Sequence, residues 1–413
     1  MPKRHLLLLA GLAVLLALTQ GCGSGGGTNN STVPSKAEFL YVTSSDLTGV
    51  VTSQFSSFKL DTSTGTLTNT SSAPSGGVTE GVAADPASKF VFASNVNGLA
   101  GFIDSFAITP GTGTPGPGSI LDLNLICGPF CNHISSAPGA IAMAPGGKTL
   151  YYGSSTIALG GGVSQGVGAL SVNGVDGSLS VVPGSPFAAD LIPIDVLVHP
   201  SGKFVYTANI GTASVGIGPG LVQSISCYAS DPSTGALSPV LGSPFPVTTP
   251  TSNFDFRGLM IHPSGKFLYL ATGATGVGST GNGILGWSVD STNGSLTPLP
   301  DSPFAPGTIV LGGAFDRAGK FLYASNVSSA VLGFSVDPSS GALGPMSGLP
   351  VLSGSVLGVP VVDPSGTFLF TGDGKNKTLV GFRLNAQTGA LTALPSPVPV
   401  NGILGSLLIV PAP

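Results

Sequence analysis

The stretch Asp195–Asn209, DVLVHPSGKFVYTAN, comes back along the chain, and a recurrent supersecondary unit confines a sequence to architectures that stack or close like pieces. Copies run as MIHPSGKFLYLAT from Met260, AFDRAGKFLYASN from Ala314, VVDPSGTFLFTGD from Val361, AADPASKFVFASN from Ala83 and AMAPGGKTLYYGS from Ala142, with a partial AEFLYVTSS from Ala37. Each reads as a short apolar strand, a four-residue break and a second strand with its large apolar residues on alternate positions. In the break, Pro presets φ and Gly takes the positive-φ position, which is the chemistry of a hairpin. A second family of segments follows each hairpin: SISCYASDPSTGAL from Ser224, GWSVDSTNGSL from Gly286, GFSVDPSSGAL from Gly333, GFRLNAQTGAL from Gly381, SSFKLDTSTGTL from Ser56 and ALSVNGVDGSL from Ala169. These read as a third strand, a tight turn closing on a left-handed glycine, and a short fourth strand ending near Ser-Pro-Phe. The unit is therefore four antiparallel strands.

The second-strand aromatics Tyr41, Phe92, Tyr151, Tyr206, Tyr269, Tyr323 and Phe370 recur at about 55 residues, the period of a propeller blade. Seven units with no helical periodicity between them predict an all-β, seven-bladed β-propeller. Gly 63, Pro 35 and 8% charged residues would otherwise suggest low complexity, but 42% apolar content in alternating patterns supplies a core. The first unit lacks its opening strand, and a spare apolar run, Gly402 to Val410, sits at the other end of the chain. Pairing the two closes the ring and removes the free sheet edge.

The amino-terminal segment has the form of an export signal. Lys3 and Arg4 precede an apolar run from Leu6 to Leu18, too short for an ordinary membrane span, and small residues lead to Cys22. Leu18-Thr19-Gln20-Gly21-Cys22 resembles a bacterial lipoprotein cleavage site, with Thr19 where that pattern usually has Leu. The expected division is a signal peptide over 1–22 with Cys22 as the lipidated anchor, a linker over 23–36, and the propeller over 37–413. The alternative is plain secretion; either reading places the protein in the cell envelope, facing the periplasm or exterior, or outside the cell. Cys127 and Cys131 in CGPFC are close enough to close a small disulfide loop in an oxidising compartment. Zinc held by this pair with His133 lacks a recognisable fourth ligand. Cys227, between Ser226 and Tyr228 on an alternating run, reads as a buried thiol. A net charge of −4 with few Lys and Arg argues against a nucleic-acid partner, which needs a basic stripe.

In a four-stranded blade, the loops joining strand two to three and strand four to the next blade share one face. The long insertions Pro117 to Gly139, Gly153 to Gly168, Gly211 to Gln223, Pro246 to Arg257 and Gly273 to Gly283 all belong to that class. One face is thus decorated, the other plain, and a site is expected at the decorated mouth of the central channel. Lys89, Lys148, Lys203, Lys266 and Lys320 follow the plain-side hairpin turn and read as solvated lysines. His199 and His262 take the turn position of Asp85, Asp316 and Asp363, where any polar side chain can bond the turn backbone. Five residues earlier, at the start of each innermost strand, stand Glu80, Gly139, Ile194, Arg257, Leu311 and Gly358. Only Glu80 and Arg257 are charged, so this pair is the candidate constellation: a carboxylate as general base and a guanidinium as oxyanion or carboxylate clamp. The alternative is that they cap strand ends or pair across the mouth.

The YTAN and FASN repeats, the HPSGKF turns and the D-x-x-T/S-G-A-L turns resemble the seven-bladed lactonase family, which includes the propeller type of 6-phosphogluconolactonase and YVTN-repeat proteins. The resemblance spans Ala37 to Pro413. It implies a lactone hydrolase whose histidines and arginines lie near the innermost strands, often as Pro-Arg-His. Here Phe256-Arg257-Gly258 keeps the arginine without the histidine, and His133 is the remaining candidate base. A phosphorylated substrate needs a cation cluster, which the decorated side lacks. Gly160-Gly161-Gly162 has no Gly-Lys-Ser/Thr ending, so no cofactor is expected. Two functions stay open: a monomeric binding propeller whose decorated face takes a glycan, a peptide or a protein partner, with the membrane met only through the anchor, and a lactonase using Glu80, Arg257 and His133.

Overall fold

In a computed structural model, described over residues 38–46, 52–75, 77–97, 100–123, 137–157, 163–190, 193–209, 223–247, 256–273, 283–305, 307–328, 330–349, 351–352 and 358–413, the chain forms seven antiparallel sheets. Blade 2 shows the pattern: an inner strand Val78–Ala84, then Phe90–Asn97, Ala100–Ile108 and an outer strand Pro115–Asp122. Blades 3 to 7 start from inner strands Ala137–Met143, Pro193–Val198, Phe256–Ile261, Val310–Phe315 and Val361–Val362. Blade 1 is composite. Glu38–Asp46, Thr52–Leu60 and Leu67–Ser75 take their inner strand from the far end of the chain, Ile403–Pro411. The register pairs Tyr41 with Leu408 and Val42 with Leu407, so the expected closure by the two ends is what the fold adopts. Each inner strand adjoins the inner strands of the blades on either side, and the last adjoins the first, which makes the circuit complete.

Period-two alternation explains why this ring is stable. In the second strand of blade 1, Leu40 and Val42 face blade 7, while Phe39 and Tyr41 face blade 2. Both faces of every blade are buried, and the core is therefore seven apolar layers, one for each pair of neighbouring blades.

Hydrogen bonds tie the same layers together. Tyr41, Tyr206, Tyr269 and Tyr323 donate their hydroxyls to the carbonyls of Gly113, Gly294, Gly341 and Gly389 at 2.7, 2.9, 2.7 and 2.7 Å. Each acceptor is the glycine of the next blade's strand-three to strand-four turn. Tyr151 reaches Gly235 O at 3.0 Å in the same way. Blade 2 has Phe92 instead, and Ser105 Oγ supplies the bond to Gly177 O at 2.7 Å. In blade 7, Arg383 bonds Ser63 O at 2.7 Å and lies 4.7 Å from the centre of the Phe368 ring. Burial drives these tyrosine hydroxyls far above their usual ionisation range, so they serve as neutral donors.

The Ser-Pro-Phe segments behave differently from the expected end of a fourth strand. In blade 4 the outer strand is only Leu237–Pro239; after a turn and a cis Ser243-Pro244 bond, Phe245–Pro246 pairs back with the third strand. Across the gap, Ser243 Oγ accepts the Cys227 amide at 2.8 Å, and Ser185 and Ser302 do the same for Ala169 and Gly286 at 2.8 and 3.0 Å. The serine replaces a missing strand carbonyl. The insertion over Gly153 to Gly168 also departs from a plain loop, because strands Thr149–Ile157 and Val163–Val172 stay paired from Thr149↔Ser171 to Ile157↔Val163.

Candidate functional site

The start of the inner strand is where this propeller breaks its own ladder. Pairing with the second strand slips between Thr79 and Gly81, Pro138 and Ile141, Pro193 and Asp195, Phe256 and Gly258, and Val310 and Gly312. The skipped residues include Glu80, Gly139, Ile194, Arg257 and Leu311, which are β-bulges at equivalent heights in blades 2 to 6. A bulge leaves one residue out of the ladder, bends the strand and re-aims the side chain. In blade 1 the slip leaves Gly405 and Ser406 opposite Thr43, whose Oγ1 accepts the Ser406 amide at 2.7 Å. Blade 7 has no paired residue there. Gly358 instead donates its amide to Gly372 O and accepts Thr371 Oγ1, both at 2.7 Å.

Glu80 and Arg257 are thus matched bulge residues, in blades 2 and 5. Three steps apart on a circuit of seven, they belong to opposite sides of the channel. Their side chains lie outside the described residues, as do His133, Cys22, Cys127, Cys131 and the linker. The other charged-position equivalents are not mouth groups: Ile194 and Leu311 are each only 6% exposed, and Ile194 joins the apolar layer between blades 4 and 5.

Sequence reasoning missed the residue after Ile194. Asp195 is buried, and its Oδ2 accepts the Leu259 amide of the next inner strand at 2.6 Å. Leu259 lies two residues beyond Arg257, so this carboxylate braces the strand that carries the arginine. The signal was available: where Asp195 stands, the other bulges have Gly81, Ala140, Gly258, Gly312 and Ser406. A second missed feature is the polar end of the second strand. Thr79 Oγ1 donates to Asn95 Oδ1 at 2.6 Å, and Asn95 Nδ2 donates to Asp104 at 2.8 Å. In blade 4, Asn209 Nδ2 bonds Ser224 and Ser226 at 3.2 and 2.9 Å, and Ser224 Oγ donates to Asp190 at 2.7 Å. These buried networks fix the backbone under the decorated face.

The turn residues are structural. Asp85 and Asp316 accept the amides of Phe90 and Phe321 at 2.6 and 2.7 Å. His199 Nδ1 meets Ser201 Oγ at 2.7 Å and its Nε2 meets Gly265 O at 2.9 Å; His262 repeats this with Ser264 and Gly319 at 2.7 and 2.8 Å. Burial holds both imidazoles below the usual histidine range. Cys227 is fully buried, with Sγ 3.4 Å from Gly294 O, and burial pushes its thiol up to about 12; it is no nucleophile. A groove of about 570 Å³ lies on the plain side, beside Lys89, Lys148, Thr149, Ser171 and Thr234. It is a hollow between exposed turns, and its buried carboxylate, Asp85, is committed to turn amides. Among the described residues no group of His, Cys, Asp and Glu is arranged to hold a metal ion.

No family model and no curated protein matches the sequence. Solved structures do. The periplasmic gluconolactonase of Pseudomonas aeruginosa is 18% identical with a TM-score of 0.68, over 91% of this chain and 100% of that one. A Bacteroides uniformis protein provisionally named a 6-phosphogluconolactonase gives 18% and 0.68 over 90% and 99%; its counterpart from Bacteroides fragilis gives 19% and 0.66 over 92% and 100%. At such identity the likeness is one of fold, and the chain shares the seven-bladed propeller of these lactonase-named proteins.

Proposed function

We propose that this is an exported, lipid-anchored binding propeller that holds a polar small molecule, glycan or peptide at the decorated mouth of its channel. The observation that carries this reading is the placement of Glu80 and Arg257 as matched bulges on opposite sides of the circuit. A carboxylate and a guanidinium so separated suit a ligand that spans the mouth, accepting hydrogen bonds at one rim and donating them at the other. They suit acid–base chemistry on a single bond less well, because a general base must come within hydrogen-bond reach of the proton it removes. The Asp195 brace on the arginine's strand fits the same role, since a clamp works best on a fixed backbone.

Hydrolysis of a sugar lactone is the second reading, favoured by the shared fold with the Pseudomonas aeruginosa gluconolactonase. Folds host unrelated functions, so the site must decide. The test is a thermal-shift screen of sugar lactones, sugar acids and oligosaccharides, beside a lactone-hydrolysis assay, on wild type, Glu80→Gln and Arg257→Ala. The binding reading expects a ligand that raises the Tm of wild type and loses at least tenfold in affinity with either variant. A hydrolysis rate above background that collapses in both variants would replace it with the lactonase reading.

A further inference from the structure

We infer that the plain face of the disc lies against the bilayer that holds the anchor, and that the bulged mouth is turned away from it. The inference rests on the reading of Cys22 as the lipidated residue, and on where the propeller receives its chain. Glu38, the first described residue, stands on the plain side. It pairs with Pro411 in the ladder, and its Oε1 accepts the amide of Ser365 in the hairpin turn of blade 7. Residues 23–37 therefore connect a membrane-held cysteine to the plain face.

Chain length makes this a constraint on orientation. Those fifteen residues span at most about 50 Å when fully extended, and about 20 Å at the end-to-end distance of an unconstrained chain. Reaching the other face would mean passing two further strands outward, about 10 Å, and then the length of a strand of six to nine residues, about 20–30 Å. That path takes about 30–40 Å, well beyond the unconstrained reach of the linker, and holds most of it stretched. Approach by the plain face needs none of it.

The chemistry of the plain face agrees. Lys89, Lys148, Lys203, Lys266 and Lys320 are all exposed, at equivalent positions in blades 2 to 6, and form an arc around the axis. The exposed carboxylates of that face, Asp61, Asp176, Asp231, Asp290 and Asp337, stand farther out, in the turns between third and fourth strands. Each accepts amide hydrogens of its own turn, which draws its charge back toward the protein. Long lysine arms nearer the axis are the groups placed to meet anionic headgroups.

The test uses the full chain, processed in a bacterial host and reconstituted in vesicles of phosphatidylethanolamine and phosphatidylglycerol carrying a nitroxide headgroup. A fluorophore is placed by Lys203→Cys on the plain face or by Lys375→Cys in the decorated-side turn of blade 7, each in a Cys127→Ser, Cys131→Ser background. The expected result is co-flotation with the vesicles, lost in Cys22→Ala, and nitroxide quenching several-fold stronger at 203 than at 375. Equal quenching, or stronger quenching at 375, in protein that still floats overturns the orientation while leaving the anchor intact. Failure of the wild-type chain to float overturns the anchor reading and the inference with it.

Discussion

At the scale of single residues, the glycine of the strand-three to strand-four turn does more than permit a turn. Gly294 has φ of +77°, offers its carbonyl to Tyr206, and leaves no room for a Cβ, which would come within 2.6 Å of the Phe204 ring and 3.0 Å of Cys227 Sγ. Gly341 and Gly389 repeat this against Phe267 and Phe321. Gly111, by contrast, has φ of +82° but nothing within 4 Å. Gly294→Ala should therefore lose about 3 kcal/mol, combining left-handed strain with displacement of a neighbouring blade, while Gly111→Ala should lose only about 1 kcal/mol of strain. Urea denaturation of the two variants checks this, and equal losses would mean that the interblade contact contributes nothing. Tyr206→Phe leaves the ring in place and should lose about 1 kcal/mol by the same measurement, for the hydroxyl bond alone.

At the scale of the element, blade 1 is the seam, and its chemistry is its own. Glu38 takes the position that holds an exposed lysine in blades 2 to 6, yet it is 2% exposed and faces the equally buried Asp363 of blade 7. Burial, reinforced by the charge of Asp363 and opposed by Arg317, pushes its carboxyl from 4.5 up to about 8. Its Oε2 receives no donor, and the neighbouring Asp363 favours the protonated form of the carboxyl. Because the folded value is raised, the folded state holds a proton that the unfolded chain releases between about pH 4.5 and 8. The stabilisation is complete below that window and is lost as pH rises through it, a fall on the order of a few kcal/mol. Tm measured from pH 5 to 9 should decline in wild type and stay flatter in Glu38→Gln; parallel curves would show that Glu38 does not titrate in the fold. The seam also shows what was legible in advance. Alternating apolar residues and turn glycines report local backbone geometry, so the blade count, the faces and the pairing of 402–410 with the strand at Tyr41 could be read directly. The Tyr206 to Gly294 bond joins residues far apart in the chain, and Asp195 bracing Leu259 depends on which inner strands adjoin. Asp195 stands out among the repeats by its type, but the partners of both side chains have no local signature, and so the bonds that support the candidate site emerged only from the assembled ring.

At the scale of the whole molecule, stability is a property of closure. Each apolar layer needs two blades, and the layers on either side of blade 1 use residues from both ends of the chain: Leu404, Leu407 and Ile409 toward blade 7, and Leu408 and Val410 toward blade 2. Removing 402–413 deletes the inner strand of blade 1, strips both layers of these buried side chains, and exposes the ladder edge of Glu38–Asp46. At about 1.5–3 kcal/mol for each buried aliphatic side chain, five of them amount to about 7.5–15 kcal/mol, as much as the 5–15 kcal/mol that a typical fold has in hand. The truncated chain should therefore fail to form any stable propeller instead of surviving as a six-bladed arc with one frayed blade, and its open edge should drive aggregation. A synthetic peptide of residues 402–413 added during refolding should restore soluble, cooperative unfolding, because the seam is held by strand pairing and packing with no covalent link of its own. A truncated protein that unfolds cooperatively near the wild-type Tm without the peptide would show that six blades suffice, and that the seam serves only to seal the disc.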